Sequence, residues 1–313
     1  MNRVFVSEHI KETEVEQTIL GKELTRTNQN ALVYLAWNEK IDSNFFDAFP
    51  HLKAVIRYGV GYDNVDVKEA TRRNIKVCIV PDYGVDEVAQ TAAAVIIEKS
   101  RNIYKYNKLS KLRYQTKTWQ VPDESIRRTS TLKVGIVGAG RIGSKVLKYC
   151  KSFGFDVSFY DPYVAPGYEK VLECKRTKCV KDILSKSDFI SLHVPCNEET
   201  RGMVDIEFLK NMKNGSSLIN TARGDLISDY RDLEYAIDNK LLSFVYLDVL
   251  KTEPPQSHSF LDKWKNGQYQ DRVVINPHTA FYSQESFVEM RTKACESAIS
   301  IINNHDPYCE VYK

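Results

Sequence analysis

The sequence predicts an α/β protein made of two doubly wound parallel sheets. Three observations carry that expectation. Short β-rich runs alternate with amphipathic stretches along the 313 residues, a glycine-rich turn closes one of those runs near the middle, and acid–base residues stand directly after several later runs. Alternating strand and helix patterns imply crossover connections and mainly parallel sheets, whose ligands gather beyond the carboxyl ends of the strands.

Taken in order, β-rich runs fall at residues 4–6, 31–36, 54–57 and 77–80, and together they read as a small α/β unit. Further runs at 133–137, 157–161, 189–194, 217–221, 244–248 and 273–276 form a second, fully doubly wound unit. Two long helical patterns, at about 86–101 and about 284–304, carry apolar residues at helical spacing and flank the second unit. If both lie between the units, the C-terminal helix returns to the first one and the active site falls in the cleft. The segment 254–270 is polar and irregular, and it reads as a long surface loop.

The central turn is Lys133-Val-Gly-Ile-Val-Gly138-Ala-Gly140-Arg-Ile-Gly143. In a dinucleotide-binding arrangement Gly138 permits the tight turn, Gly140 lets a diphosphate approach the backbone, and Gly143 lets the helix lie close to the sheet. The helix opened by Arg141 and Ile142 would offer its unpaired N–H groups and dipole to the anion. Glycine turns also occur for backbone reasons alone. Here a strand precedes, a helix follows, and a second strand ends at Asp161, eighteen residues beyond Gly143. A carboxylate there accepts hydrogen bonds from ribose hydroxyls and repels a 2′-phosphate, so NAD is the expected cofactor.

Three residues follow later strands: Arg223 in Asn-Thr-Ala-Arg-Gly-Asp, Glu253 in Leu-Lys-Thr-Glu-Pro-Pro, and His278 in Ile-Asn-Pro-His-Thr-Ala. Singly, each has an ordinary reading as a surface cation, a loop acid or a strand-end histidine. Jointly they match the reduction of a 2-keto acid, which needs a cation for the carboxylate, a proton donor for the developing alkoxide and a group that keeps the donor protonated.

Bulk properties narrow the remaining classes. With 44 basic and 41 acidic residues, a formal charge of +3 gives no reason to expect a nucleic-acid or acidic-membrane partner. No apolar run is long enough to span a bilayer, and the N-terminal residues enter a strand pattern without a leader, so a cytoplasmic location is expected. The seven cysteines form no C-x-x-C pair and are odd in number, which suits free thiols; no metal site is expected.

The chain resembles the NAD-dependent D-isomer-specific 2-hydroxyacid dehydrogenases over nearly its whole length. The matching blocks are Arg57-Tyr-Gly-Val-Gly-Tyr-Asp-Asn-Val-Asp66, the run from Val80 to Ala89, the glycine turn, Asn220-Thr-Ala-Arg-Gly-Asp225, the run from Asp248 to Pro254, and Pro277-His-Thr-Ala280. Residues 155–163 and 281–286 look closest to the branch containing the C-terminal-binding-protein corepressors. The chain departs from the family pattern in two places: 127–132 lacks the usual glycine before the strand, and Gly84 stands where relatives often carry another small residue.

The resemblance implies a flavodoxin-like substrate domain from 1–101 and 283–313, and a Rossmann NAD-binding domain from 102–282. It makes Arg223 the binder of substrate carboxylate or carbonyl, His278 the acid/base and Glu253 its partner. It places Val60, Val194, Pro195, Thr200, Thr221, Ala222 and Asp248 around the cofactor, with Asp248 near the carboxamide and Val194 and Pro195 bordering the adenine. The backbone at Val60 and Gly61 would receive the substrate carboxylate. A homodimer is implied, with its surface around the glycine-turn helix and residues 104–122. The rival readings are an NAD(H)-sensing corepressor-like protein and a phosphite-type dehydrogenase. Arg57 is a candidate second substrate cation, set against an internal ion pair or packing at the domain surface.

Overall fold

The computed structural model describes residues 3–123 and 126–311. Met1 and Asn2, which open the N-terminal run, lie outside the described residues. Contacts divide the chain into two compact units, one of residues 1–84 and 282–313 and the other of residues 85–281.

The first unit contains β1 (Val4–Val6), β2 (Leu24–Thr25), β3 (Val33–Ala36), β4 (Ala54–Arg57) and β5 (Lys76–Ile79), in the order β2-β1-β3-β4-β5. All four pairings are parallel. This is the 2-1-3-4-5 order of flavodoxin-like sheets. Alternate residues serve opposite faces: Val4, Val33, Leu35 and Ile56 pack with Met290, Ala294 and Ala298 of helix Gln284–Ile302, whereas Phe5, Tyr34 and Val55 pack with Phe46 and Phe49. The strands are buried on both sides, as a parallel sheet requires.

The second unit contains β6 (Lys133–Val137), β7 (Asp156–Tyr160), β8 (Lys175–Arg176), β9 (Phe189–Leu192), β10 (Ser216–Asn220), β11 (Leu242–Leu247) and β12 (Val273–Ile275). Their order is β12-β11-β10-β9-β6-β7-β8, parallel throughout. Read from β8, this is the dinucleotide-binding 3-2-1-4-5-6 order extended by one strand, with the reversal between β6 and β9.

Three features differ from the sequence reading. Strands β2 and β8 went unanticipated; each is two residues long and lies at a sheet edge, too short to show an alternating pattern. Helix Val85–Arg101, expected with the first domain, groups with the second unit. Its small residues Ala89 and Ala92, with Ile96, pack in one apolar cluster with Val146 and Leu147 of helix Arg141–Ser152 and with Ile136 of β6. The boundary therefore falls before this helix rather than after it.

The third difference is the expected surface loop at 254–270, which contains helix Ser259–Lys265. Its Phe260 is fully buried, and Leu261 and Tyr269 are nearly so, in the cluster with Leu233, Ile237 and Leu247. Polar composition hid the apolar anchors Phe260, Leu261 and Tyr269, and the His258 side chain caps the helix by accepting from Phe260 N. Phe260→Ala should therefore destabilise the protein by about 3–5 kcal/mol in chemical denaturation, whereas a surface-loop residue would cost within about 0.5 kcal/mol.

Candidate active site

The turn after β6 closes through glycines because nothing larger fits. Gly138 has φ +92, and a Cβ there would lie 2.6 Å from the carbonyl oxygen of His193; a Cβ on Gly143 would lie 1.9 Å from Gly138 O. Gly140 is different in kind, since nothing lies within 4 Å of where its Cβ would be. Its missing side chain leaves open space at the start of helix Arg141–Ser152.

That helix start is also chemically bare. Helices Ser43–Ala48, Val67–Arg72, Ile206–Asn211 and Tyr230–Asp238 each take an aspartate side chain as N-cap acceptor, but the glycine-turn helix has no side-chain cap and no acid in its first turn. Its N–H groups suit an external anion such as a diphosphate. Asp161, after β7, accepts Ala139 N at 2.8 Å and Tyr163 N at 2.9 Å, which joins the strand end to the turn. Thr221, after β10, adds a buried hydroxyl oxygen with no hydrogen-bond partner. Open space, unclaimed donors and an unpaired hydroxyl fit a dinucleotide.

The neighbouring strand end supplies the other expected cofactor residues. Val194 follows β9, and its Cγ1 would be 2.9 Å from a Gly138 Cβ. Thr200 Oγ1 accepts Asn197 N at 3.0 Å and donates to Pro195 O at 2.5 Å, folding that loop back on itself. His193 escaped the sequence reading. Its carbonyl underlies Gly138, its Nε2 meets Ser191 Oγ at 2.8 Å, and burial pushes its pKa down to about 3, so it is neutral. The only signal was its place between a strand and Pro195.

Arg223, Glu253 and His278 stand after β10, β11 and β12, which are adjacent and parallel, so their carboxyl ends share one edge. His278 Nδ1 and Glu253 Oε2 are 2.7 Å apart, and Glu253 Oε1 accepts Leu250 N at 2.8 Å. Burial pushes the Glu253 carboxyl up, but the hydrogen bonds from His278 and Leu250, with the charges of His278 and Arg223, bring it below the usual range. An ionised Glu253 requires a proton on Nδ1, so any exchange with a third group runs through Nε2. His278 is 40% exposed and Glu253 36%, open enough for a small molecule to reach.

Backbone geometry presents this histidine. His278 has φ +54, a left-handed conformation uncommon outside glycine. Its N–H donates to Asp248 O at 2.8 Å, while Thr279 N and Ala280 N donate to the Asp248 carboxylate at 3.2 and 3.0 Å. Burial raises the Asp248 pKa against the pull of these two amides. Both oxygens of Asp248 thus hold the His278 loop, a role the sequence reading did not assign. Arg223 Nη1 donates to Ala222 O at 2.7 Å, and Arg223 O accepts from Asn220 Nδ2 at 2.8 Å.

The remaining candidates belong to the first unit. Arg57 ends β4, and its guanidinium carbon lies 5.6 Å from the Trp37 ring centre in a cation–π contact. Its Nη1 would be 3.1 Å from a Cβ on Gly59, which has φ +134, so the arginine packs beneath the loop that leads to Val60 and Gly61. Val60 is exposed.

Comparison with known proteins follows the same lines. Residues 93–280 match the family model described as D-isomer specific 2-hydroxyacid dehydrogenase, NAD binding domain. The chain is 34% identical over 278 residues to a glyoxylate reductase of Korarchaeum cryptofilum, covering 89% of this chain and 81% of that protein. It is 32% identical over 272 residues to C-terminal-binding protein 1 of Caenorhabditis elegans, covering 86% of this chain but 37% of that longer protein. A crystal structure of D-lactate dehydrogenase from Aquifex aeolicus, complexed with NAD and lactic acid, superposes with a TM-score of 0.83 at 28% identity, covering 97% of this chain and 96% of that one. The chain belongs to the D-isomer-specific 2-hydroxyacid dehydrogenases, NAD-dependent enzymes that transfer a hydride between the cofactor and a 2-keto or 2-hydroxy acid.

Proposed function

We propose that this enzyme reduces a small 2-keto acid to its D-2-hydroxy acid, and runs the reverse oxidation, with His278, Glu253 and Arg223 as its reacting set. The observation that carries the proposal is the 2.7 Å His278–Glu253 pair beyond β11 and β12 of the same sheet whose β6 leads into the dinucleotide turn. Protonated His278 donates through Nε2 to the developing alkoxide, Glu253 sustains the imidazolium, and Arg223 neutralises the substrate carboxylate or polarises the carbonyl. The nicotinamide, when bound, supplies or takes up the hydride. The backbone at Val60 and Gly61 receives the carboxylate in this reading. The glyoxylate and D-lactate relatives support a short side chain on the substrate.

In the same reading the N–H groups at Gly140, Arg141, Ile142 and Gly143 hold the diphosphate and Asp161 holds the adenosine ribose. Val194 and Pro195 border the adenine and Asp248 lies near the nicotinamide carboxamide, with Val60, Thr200, Thr221 and Ala222 also around the cofactor. A cytoplasmic setting is supported by seven cysteines of which none is joined in a disulfide among the described residues. A homodimer is supported by helix Ile103–Leu112, which buries none of its residues, and by exposed Ile103, Tyr104, Leu112, Tyr114 and Trp119 around it. Such a surface suits a second copy of the chain.

The reaction is tested with NADH and a panel containing glyoxylate, pyruvate, 2-ketoglutarate and oxaloacetate. NADH binding without turnover of any of them would favour the sensing role of the corepressor-like branch instead. His278→Ala should lower turnover about 10²–10⁴-fold with little change in NADH affinity. Glu253→Gln should move the alkaline limb of the reduction profile to lower pH, because loss of the negative partner lets the donor proton leave sooner. An unmoved limb would detach Glu253 from the reaction.

Cofactor preference is a separate measurement. Turnover with NADH should exceed that with NADPH, and Asp161→Ala should narrow the gap; equal use of both by the wild type would contradict the role of Asp161. Light scattering at micromolar concentration should return the dimer mass, and a monomer would remove the second copy from the reading.

A further inference from the structure

Tyr230 stands outside every contact assigned above, yet it sits one step from the proton-donating pair. It opens helix Tyr230–Asp238, behind the Asp229 cap, and its ring is buried between Phe260, stacked at 5.9 Å, and His258, edge-on at 5.4 Å. Its hydroxyl oxygen accepts Lys251 N at 2.8 Å. The same peptide is pressed from its other neighbour: a Cβ on Gly224 would lie 2.0 Å from Leu250 C and 2.4 Å from Lys251 N. The loop carrying Arg223 and the loop leading to Glu253 therefore touch backbone to backbone, with Tyr230 holding one side of that contact.

The peptide before Leu250–Lys251, Val249–Leu250, shares the Leu250 Cα and leads on to the pair. Leu250 N donates to Glu253 Oε1 at 2.8 Å, and Glu253 Oε2 meets His278 Nδ1 at 2.7 Å. We propose that Tyr230 is a positioning residue for the proton donor, fixing the Leu250–Lys251 peptide and through it the adjoining Leu250 N–H, so that Glu253, held by that N–H, presents its second oxygen to His278. This rests on the reading of Glu253 and His278 as the pair that handles the reaction proton. The charged groups around that pair are Arg223, from the loop after β10, and Asp248, from the end of β11. Neither depends on the Tyr230 hydroxyl, so a change caused by its removal reports on Glu253.

Tyr230→Phe keeps the stacked ring and deletes the acceptor, and a thermal melt checks that the variant stays folded. Two readouts decide. The pH at which the His278 imidazole signal titrates by NMR should fall in Tyr230→Phe, in the same direction as in Glu253→Gln and by less. Turnover of the best keto acid should fall about threefold to tenfold, the scale of one hydrogen bond, with NADH affinity unchanged. In the Glu253→Gln background the added Tyr230→Phe should cost less than about twofold, since the two act along one chain.

A His278 titration unmoved by Tyr230→Phe would overturn the proposal, as would a full, independent loss in the double variant. If the wild type turns over no keto acid, the functional reading fails on the panel. The NMR titration still decides whether Tyr230 positions the pair.

Discussion

The active edge of the second unit depends on a buried carboxylate, that of Asp248. Its backbone N–H donates to Asn220 O at the end of β10, its carbonyl accepts His278 N, and its two side-chain oxygens accept the amides of Thr279 and Ala280. One residue thereby joins the ends of three strands. A carboxylate this deeply buried is tolerated because its acceptors are engaged, and removing it would leave the buried Ala280 N–H unpaired at about 1–3 kcal/mol and take the partner of the part-buried Thr279 N–H as well. His278 is held through its own main chain, so its ring is left to pair with Glu253 through Nδ1 while Nε2 stays available.

The glycine turn works by a different economy of space. Gly143 and Gly138 are in contact closer than any side chain permits, which brings helix Arg141–Ser152 down onto the sheet with its first N–H groups facing outward. Four other helices have an aspartate over their start; here Gly140 covers nothing. The suitability of this helix start for an anion thus owes as much to a withheld cap as to the helix dipole.

Much of this was legible in the sequence, for physical reasons that differ by element. Long apolar runs in a parallel sheet are buried on both faces, so strands such as β6 and β11 stand out against polar surroundings. The glycine turn, Asp161 and the Arg223–Glu253–His278 set declare themselves by type and place. Strands β2 and β8 did not, because two edge residues carry no period. Helix Ser259–Lys265 was masked by its lysines and asparagine neighbours, although Phe260 and Leu261 were the anchors. The parts played by Asp248 in the histidine loop and by Tyr230 beneath Glu253 are relations between main-chain atoms and side chains far apart in sequence, and no local pattern encodes them.

The left-handed backbone at His278 also limits the substitutions open to this site over evolutionary time. A β-branched residue placed at φ +54 is strained in the folded state, whereas asparagine, aspartate and glycine accept that conformation readily. A descendant of this chain that gave up the reaction while keeping the fold would therefore drift at position 278 toward those small polar or glycine residues. In an aligned set of such sequences, valine or isoleucine at this position would mark a remodelled loop rather than a simple loss of the histidine.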